Sequence, residues 1–154
     1  MSSIQVARFF VGDEEYALDI MRIKEIINPA PITRVPRAPG FIEGIIELRG
    51  AFLPVVDLRK RFGLEARPPG RETKYVIVSL EGRIVGLIVD RVTEVSRIAA
   101  DEIGKPPPMA VGADARFFGG VVKAGDRIVL LLDLDAVLSS AERDQLRGME
   151  QVDS

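Results

Sequence analysis

One pattern in this chain constrains its fold more than any other: a Gly that opens a hairpin, followed seven or eight residues later by an Asp that closes a strand, occurs four times. The copies are GDEEYALD (Gly12 to Asp19), GAFLPVVD (Gly50 to Asp57), GRIVGLIVD (Gly82 to Asp90) and GDRIVLLLD (Gly125 to Asp133). They fall into two ordered pairs. The first and third are followed by apolar segments carrying Glu25 and Glu94, whereas the second and fourth are preceded by Phe41-Ile-Glu-Gly44-Ile-Ile and Phe117-Phe-Gly-Gly120-Val-Val. One half of the chain therefore repeats the other, with a boundary in the polar stretch GLEARPPGRET at 63–73. Repeats of about 65 residues bury too little surface to be comfortable alone, so the two should share a core.

The segments between turns are strand-like. Val and Ile together number 32 against 13 Leu, a β-branched bias that suits a pleated surface. Eight runs have strand length and turn-rich borders: 4–11, 16–20, 44–48, 52–58, 74–80, 83–92, 117–122 and 127–134. In KYVIVSL both alternating faces are apolar, Tyr75 and Ile77 on one and Val76, Val78 and Leu80 on the other, which predicts strands buried on two sides. Closing each small sheet into a barrel removes exposed edges. The residues thus predict an all-β chain of two fused small barrels. Helix signals are short: MRIKEII at 21–27, one turn at LRKRF (58–62), and a terminal helix over 135–146 with a Ser139-to-Glu142 capping-box spacing.

Much chemistry is excluded by absence. Without Cys or His there is no thiolate nucleophile, imidazole base or Cys/His zinc site. Phosphate-loop, dinucleotide and nucleophile-elbow motifs do not occur, and the acids cluster at strand ends, where Asp is a good turn former. No catalytic residue, cofactor or metal is expected. A net charge of -2 and few aromatics argue against nucleic acid, and Arg59-Lys60-Arg61 reads as a solvated basic turn. No apolar run approaches the length of a membrane span, so no membrane insertion is expected and a cytoplasmic location is the default. By elimination the chain reads as a binding module.

The stretches FFVGDEEYALDIMRIKEII (9–27), ITRVPRAPGFIEGIIELRGAFLPVVDLRKRF (32–62), VIVSLEGRIVGLIVDRVTEV (76–95) and GVVKAGDRIVLLLDLDAVL (120–138) together resemble the CheW family. The resemblance implies a non-enzymatic adaptor of bacterial chemosensory arrays, built from two pseudo-repeated five-stranded SH3-like barrels on a shared core. A single CheW-like domain would have halves near 10–65 and 74–138, strands at the termini free to cross over, and a C-terminal helix or tail over 139–154. The implied partners are the cytoplasmic tip of a methyl-accepting chemoreceptor and the regulatory domain of a CheA-type histidine kinase. The implied location is the cytoplasm, at membrane-associated receptor arrays.

Residue by residue, Ile23, Glu25, Ile26, Gly44 and Arg49 match the family's receptor groove between the barrels. Glu25 and Arg49 are expected as an ion pair at its rim, Gly44 as a point of close strand approach, and core packing is the alternative for Ile23 and Ile26. The resemblance places kinase contacts at Phe52, Leu53 and Asp57 and at Lys105 and Met109 in KPPPMAV, where Met109 could instead turn inward. Glu47 stands where the family frequently has Asn. An adaptor of a non-flagellar pathway, for surface motility or gene regulation with weak kinase binding, is the alternative function.

Overall fold

The computed structural model describes residues 2–105 and 117–152. Among these residues the strands are β1 (Ser3–Val11), β2 (Glu14–Asp19), β3 (Ile23–Ile27), β4 (Gly44–Leu48), β5 (Ala51–Asp57), β6 (Lys74–Leu80), β7 (Arg83–Val89), β8 (Arg91–Ala99), β9 (Phe118–Ala124) and β10 (Arg127–Leu132). They form two five-stranded sheets with orders β8-β1-β2-β10-β9 and β3-β6-β7-β5-β4. Written this way, the repeat found in the sequence maps strand for strand: β1 onto β6, β2 onto β7, β3 onto β8, β4 onto β9 and β5 onto β10. In each sheet one parallel pair joins the two repeats, β10 with β2 and β5 with β7.

The sheets do not follow the halves 10–65 and 74–138. After β2 the chain crosses to the other sheet, and after β7 it crosses back, so each barrel is built from two strands of one repeat and three of the other. This crossover explains why neither half could be a self-sufficient unit.

Each sheet closes through the segment that follows its edge strand. Thr33 donates its N–H to Ile45 O at 2.9 Å and accepts from Ile45 N at 2.8 Å, and Gly104 and Val121 exchange the same two bonds at 2.8 Å. Both closures pass directly over a glycine. A Cβ on Gly44 would lie 2.4 Å from Thr33 O, and one on Gly120 would lie 2.5 Å from Ile103 Cγ2, so only glycine permits the approach. Close strand passage at Gly44 was expected; Gly120 is its counterpart in the other barrel.

Alternation then divides the apolar residues among three clusters. Val6, Ala17, Ile98, Val122 and Val129 fill the barrel containing β1, hereafter barrel A. Ile46, Leu53, Val55, Tyr75 and Ile77 fill barrel B, built on β3 to β7. The opposite faces of the same strands, including Val76, Val78 and Leu80 of β6, meet in one shared core between the barrels. Its centre is aromatic: Tyr16 packs on Phe62 at 5.0 Å, Phe118 at 5.6 Å and Phe9 at 5.9 Å between ring centroids.

Among the described residues the α-helices are α1 (Leu58–Arg61), α2 (Leu134–Val137) and α3 (Ser140–Val152). Asp57 and Asp133 cap α1 and α2 by accepting from Arg59 N and Asp135 N, which is one reason the repeat ends in Asp. The expected terminal helix is broken between α2 and α3, where Ser139 Oγ accepts from Glu142 N at 3.1 Å and Glu142 Oε1 from Ser139 N at 2.8 Å. The capping box is present as its spacing predicts.

The expected helix at 21–27 is not formed. Asp19 caps a single 3₁₀ turn at Ile20–Arg22, and Ile23, Ile26 and Ile27 then enter β3, pairing with β6. Helical spacing of Ile20, Ile23 and Ile27 is outweighed by three β-branched side chains beside an unpaired strand edge. The run 83–92 likewise divides into β7 and the beginning of β8.

Candidate functional site

The β4–β5 hairpin turns through Arg49 and Gly50, with φ of 50° and 82°. Two positive φ values in a two-residue turn are the type I′ geometry, whose twist matches the strands. That left-handed backbone sets Arg49 at the hairpin tip, across the barrel seam from β3. Its Nη1 and Nη2 donate to Glu25 Oε2 and Oε1 at 2.5 and 2.7 Å, a bidentate fork on a carboxylate. The side-chain hydrogen bond from Arg49 holds the Glu25 carboxyl below its ordinary range, and Glu25 raises the Arg49 guanidinium in turn. The pair is exposed and spans the two edge strands of barrel B, β3 and β4, beyond the reach of the Thr33 bridge.

Around this pair the apolar residues divide. Ile23 packs against the shared core, Ile26 faces outward, and Met21 in the preceding 3₁₀ turn is exposed. Gly44 is buried, paired with Val55 of β5, and its open side faces the closing segment at Ile32 and Thr33. The space between the barrels is filled by the protein's own side chains, including Leu146 of α3. Beside this filled space, the 3₁₀ turn, β3 and the β4–β5 tip form an exposed rim.

Alternation also sorts the residues expected at the second surface. Phe52 is 68 % exposed and lines a groove of about 660 Å³ with Ala30, Pro31, Val35 and Ile45. Its neighbour Leu53 points into barrel B, and Asp57 is buried beneath α1, where burial pushes its carboxyl up despite the bond from Arg59 N. Neither Leu53 nor Asp57 presents a side chain to a partner; they hold Phe52 and α1 in place. Lys105 is exposed just after the barrel A closure, and Met109 lies outside the described residues.

Of the basic run at 59–61 only Lys60 is solvated as expected; Arg59 and Arg61 are not. Arg59 is buried, with its side chain 7 % exposed; it donates to Asp90 Oδ2 at 2.5 Å and Glu65 O at 2.7 Å, while Asp90 also accepts from Gly12 N at 2.6 Å. This network joins α1 to the β1–β2 turn, one barrel to the other. Arg61 donates to Val137 O at 2.8 Å and forks onto Glu142 of α3. Sequence reasoning missed both because the partners lie 31 and 81 residues away.

Among the described residues no group of three acids could hold a metal ion, and no helix is long and apolar enough to cross a membrane. A family model described as the CheW-like domain matches residues 5–142. The chain belongs to the CheW family. A chemotaxis protein CheW of Helicobacter pylori is 37 % identical, covering 88 % of this chain and 81 % of that one. One of Rhizobium meliloti is 35 % identical, covering 91 % and 90 %. The crystal structure of the scaffolding protein TtCheW from Thermoanaerobacter tengcongensis superposes with a TM-score of 0.82 at 36 % identity, covering 92 % of both chains. As a CheW-family protein this chain is a chemotaxis adaptor and not an enzyme, and its two five-stranded sheets are the SH3-like barrels the family resemblance implied.

Proposed function

We propose that this adaptor couples the cytoplasmic tip of a methyl-accepting chemoreceptor to the regulatory domain of a CheA-type histidine kinase, within receptor arrays on the cytoplasmic face of the membrane. The receptor seat is the barrel B rim: Ile26 supplies exposed apolar surface, Ile23 anchors β3 to the core beneath it, and Glu25 and Arg49 set register. The observation that carries this reading is the Glu25–Arg49 fork, two charges already satisfied by each other on an apolar rim. A helical tip laid on such a rim gains affinity from apolar anchors and specificity from a few fixed charges. Gly44 belongs to the seat only as the packing point that holds the seam shut.

The kinase contact falls on the barrel ends. Phe52 is its best-supported member, as an exposed aromatic beside an apolar groove; Lys105, just after the barrel A closure, and Met109 are assigned to it as well. Leu53 and Asp57 act from below by fixing the strand and the helix.

The test is a pair of pull-downs. Arg49→Glu places two acids at the rim and should abolish capture of a receptor cytoplasmic fragment while the kinase regulatory domain is still captured and the melting temperature holds. Phe52→Ser should do the reverse. Unchanged receptor capture by a folded Arg49→Glu protein would remove the rim from the site.

A further inference from the structure

Strand alternation sends Phe9 and Val11 of β1 into the shared core and turns Phe10 to the opposite face, where Arg91 of β8 is its register partner. Two guanidiniums cover the Phe10 ring. Arg91 Cζ lies 4.4 Å from its centroid, and Cζ of Arg127, from the start of β10, lies 5.0 Å from it. Stacking engages the flat face of a guanidinium and leaves its N–H edge able to fork onto an oxyanion. Beside Phe10 opens a cleft of about 450 Å³, and the inter-repeat segment contributes Arg67 and Arg71 to its lining. Among the described residues no acid pairs with Arg67, Arg71 or Arg127. The acids lining the cleft are Asp90 and Glu72. Asp90 is already satisfied by Arg59 and by Gly12 N, and Glu72 stands 3.6 Å from Arg91, close enough to offset its charge and too far for a hydrogen bond.

We propose that this cleft binds the phosphate chain of a small polyphosphate, with Arg91 and Arg127 as fixed forks on the Phe10 platform and Arg67 and Arg71 facing them from the inter-repeat segment. Charge selects the ligand class. Glu72 offsets one of the four arginines, so a single carboxylate would leave the remaining surplus unbalanced. A chain of two or three phosphates carries enough charge, and enough oxygens, to engage several forks at once. The chain as a whole is acidic, with a net charge of -2, so the unpaired arginines here are a local feature and not a general attraction for anions. A nucleoside triphosphate and an inorganic polyphosphate share this chemistry. The site belongs to barrel A and the inter-repeat segment, whereas the receptor seat belongs to barrel B, so it rests on neither the receptor nor the kinase reading.

The experiment is isothermal titration calorimetry of the full chain at physiological salt, where diffuse surface attraction is screened, with tripolyphosphate, ATP and citrate as probes and thermal melts confirming that every variant is folded. Tripolyphosphate should bind saturably at one site. ATP binding as tightly would mean that the phosphate chain alone is read, and tighter ATP binding would make a nucleotide the source; both support the site. Arg91→Gln and Arg127→Gln should each weaken tripolyphosphate binding about tenfold. Phe10→Leu keeps the apolar bulk and removes the ring face, so it should weaken binding as well. Arg97→Gln, which removes one positive charge elsewhere on β8, should bind like wild type. Absence of saturable binding, citrate binding as tightly as tripolyphosphate, or a loss in Arg97→Gln equal to that in Arg127→Gln would each overturn the proposal.

Discussion

The two barrels share a topology, a closure and a glycine under each closure, yet they treat the same glutamate differently. Glu94 on β8 occupies the position of Glu25 on β3. In barrel A, Arg8 reaches it at 3.1 Å but spends its fork on Glu15, at 2.9 and 3.0 Å, and Glu15 is almost wholly buried. Thr93 Oγ1 adds a bond to the same carboxylate at 3.3 Å. The barrel A network is inside one sheet and serves stability. In barrel B the fork comes from a hairpin tip, lies in solvent and bridges a seam. Duplication supplied two equivalent rims, and placing the arginine on a strand or on a turn decides which rim is available to a partner.

The largest contrast concerns the closures. Gly44→Ala drives a Cβ into a backbone oxygen, which cannot move aside, whereas Gly120→Ala meets first the tip of the Ile103 side chain. Urea unfolding should show a loss of about 3 kcal/mol for Gly44→Ala, at the upper end of overpacking costs, and about 1–2 kcal/mol for Gly120→Ala. Equal losses would mean that the two seams are equally tight and would remove this contrast.

Next in size is the pair of arginines. Arg8→Ala strands the Glu15 carboxylate, whose side chain is 4 % exposed, and should cost about 2–3 kcal/mol while receptor capture persists. Arg49→Ala should leave the melting temperature where it was, because exposed pairs add little, while receptor capture falls. A stability loss at Arg49 matching that at Arg8 would erase the distinction between the barrels.

Much of this organisation is legible in the sequence, and the part that is not has a physical cause. The fourfold Gly-to-Asp pattern gave the duplication and the two barrels, and two-sided apolar alternation at 75–80 gave the shared core. The exchange of strands between repeats leaves no local trace, because Ile23 to Ile27 would have the same pattern in either sheet. Arg49 and Glu25 were identifiable through resemblance and the pairing is as expected, but Leu53 and Asp57 could not be separated from Phe52 without knowing which face of β5 points inward. The roles of Arg59 and Arg61 depend on partners far along the chain.

A smaller effect concerns α3, which rests on barrel B through Arg61 and through Arg143 and Arg147 on Glu81. Burial alone would raise the Glu142 carboxyl, but the bonds from Arg61 and Ser139 hold it below its ordinary value of 4.5. A carboxyl depressed in the folded state contributes stability above its unfolded pKa and loses it as the pH falls through the folded one. Far-UV circular dichroism should therefore show α3 loosening below pH 4.5, and Arg61→Ala should remove that step by weakening the helix already at neutral pH. A titration unaffected by Arg61→Ala would detach Glu142 from the effect.

The central claim is that partners use the barrel B rim and leave its barrel A counterpart alone. Backbone amide NMR of the labelled protein, titrated with a receptor cytoplasmic fragment, tests it most directly. Shifts concentrated at 21–27 and at Arg49 and Gly50, with 92–97 unmoved, are the predicted result. Shifts concentrated on 92–97, or divided evenly between the two rims, would contradict it.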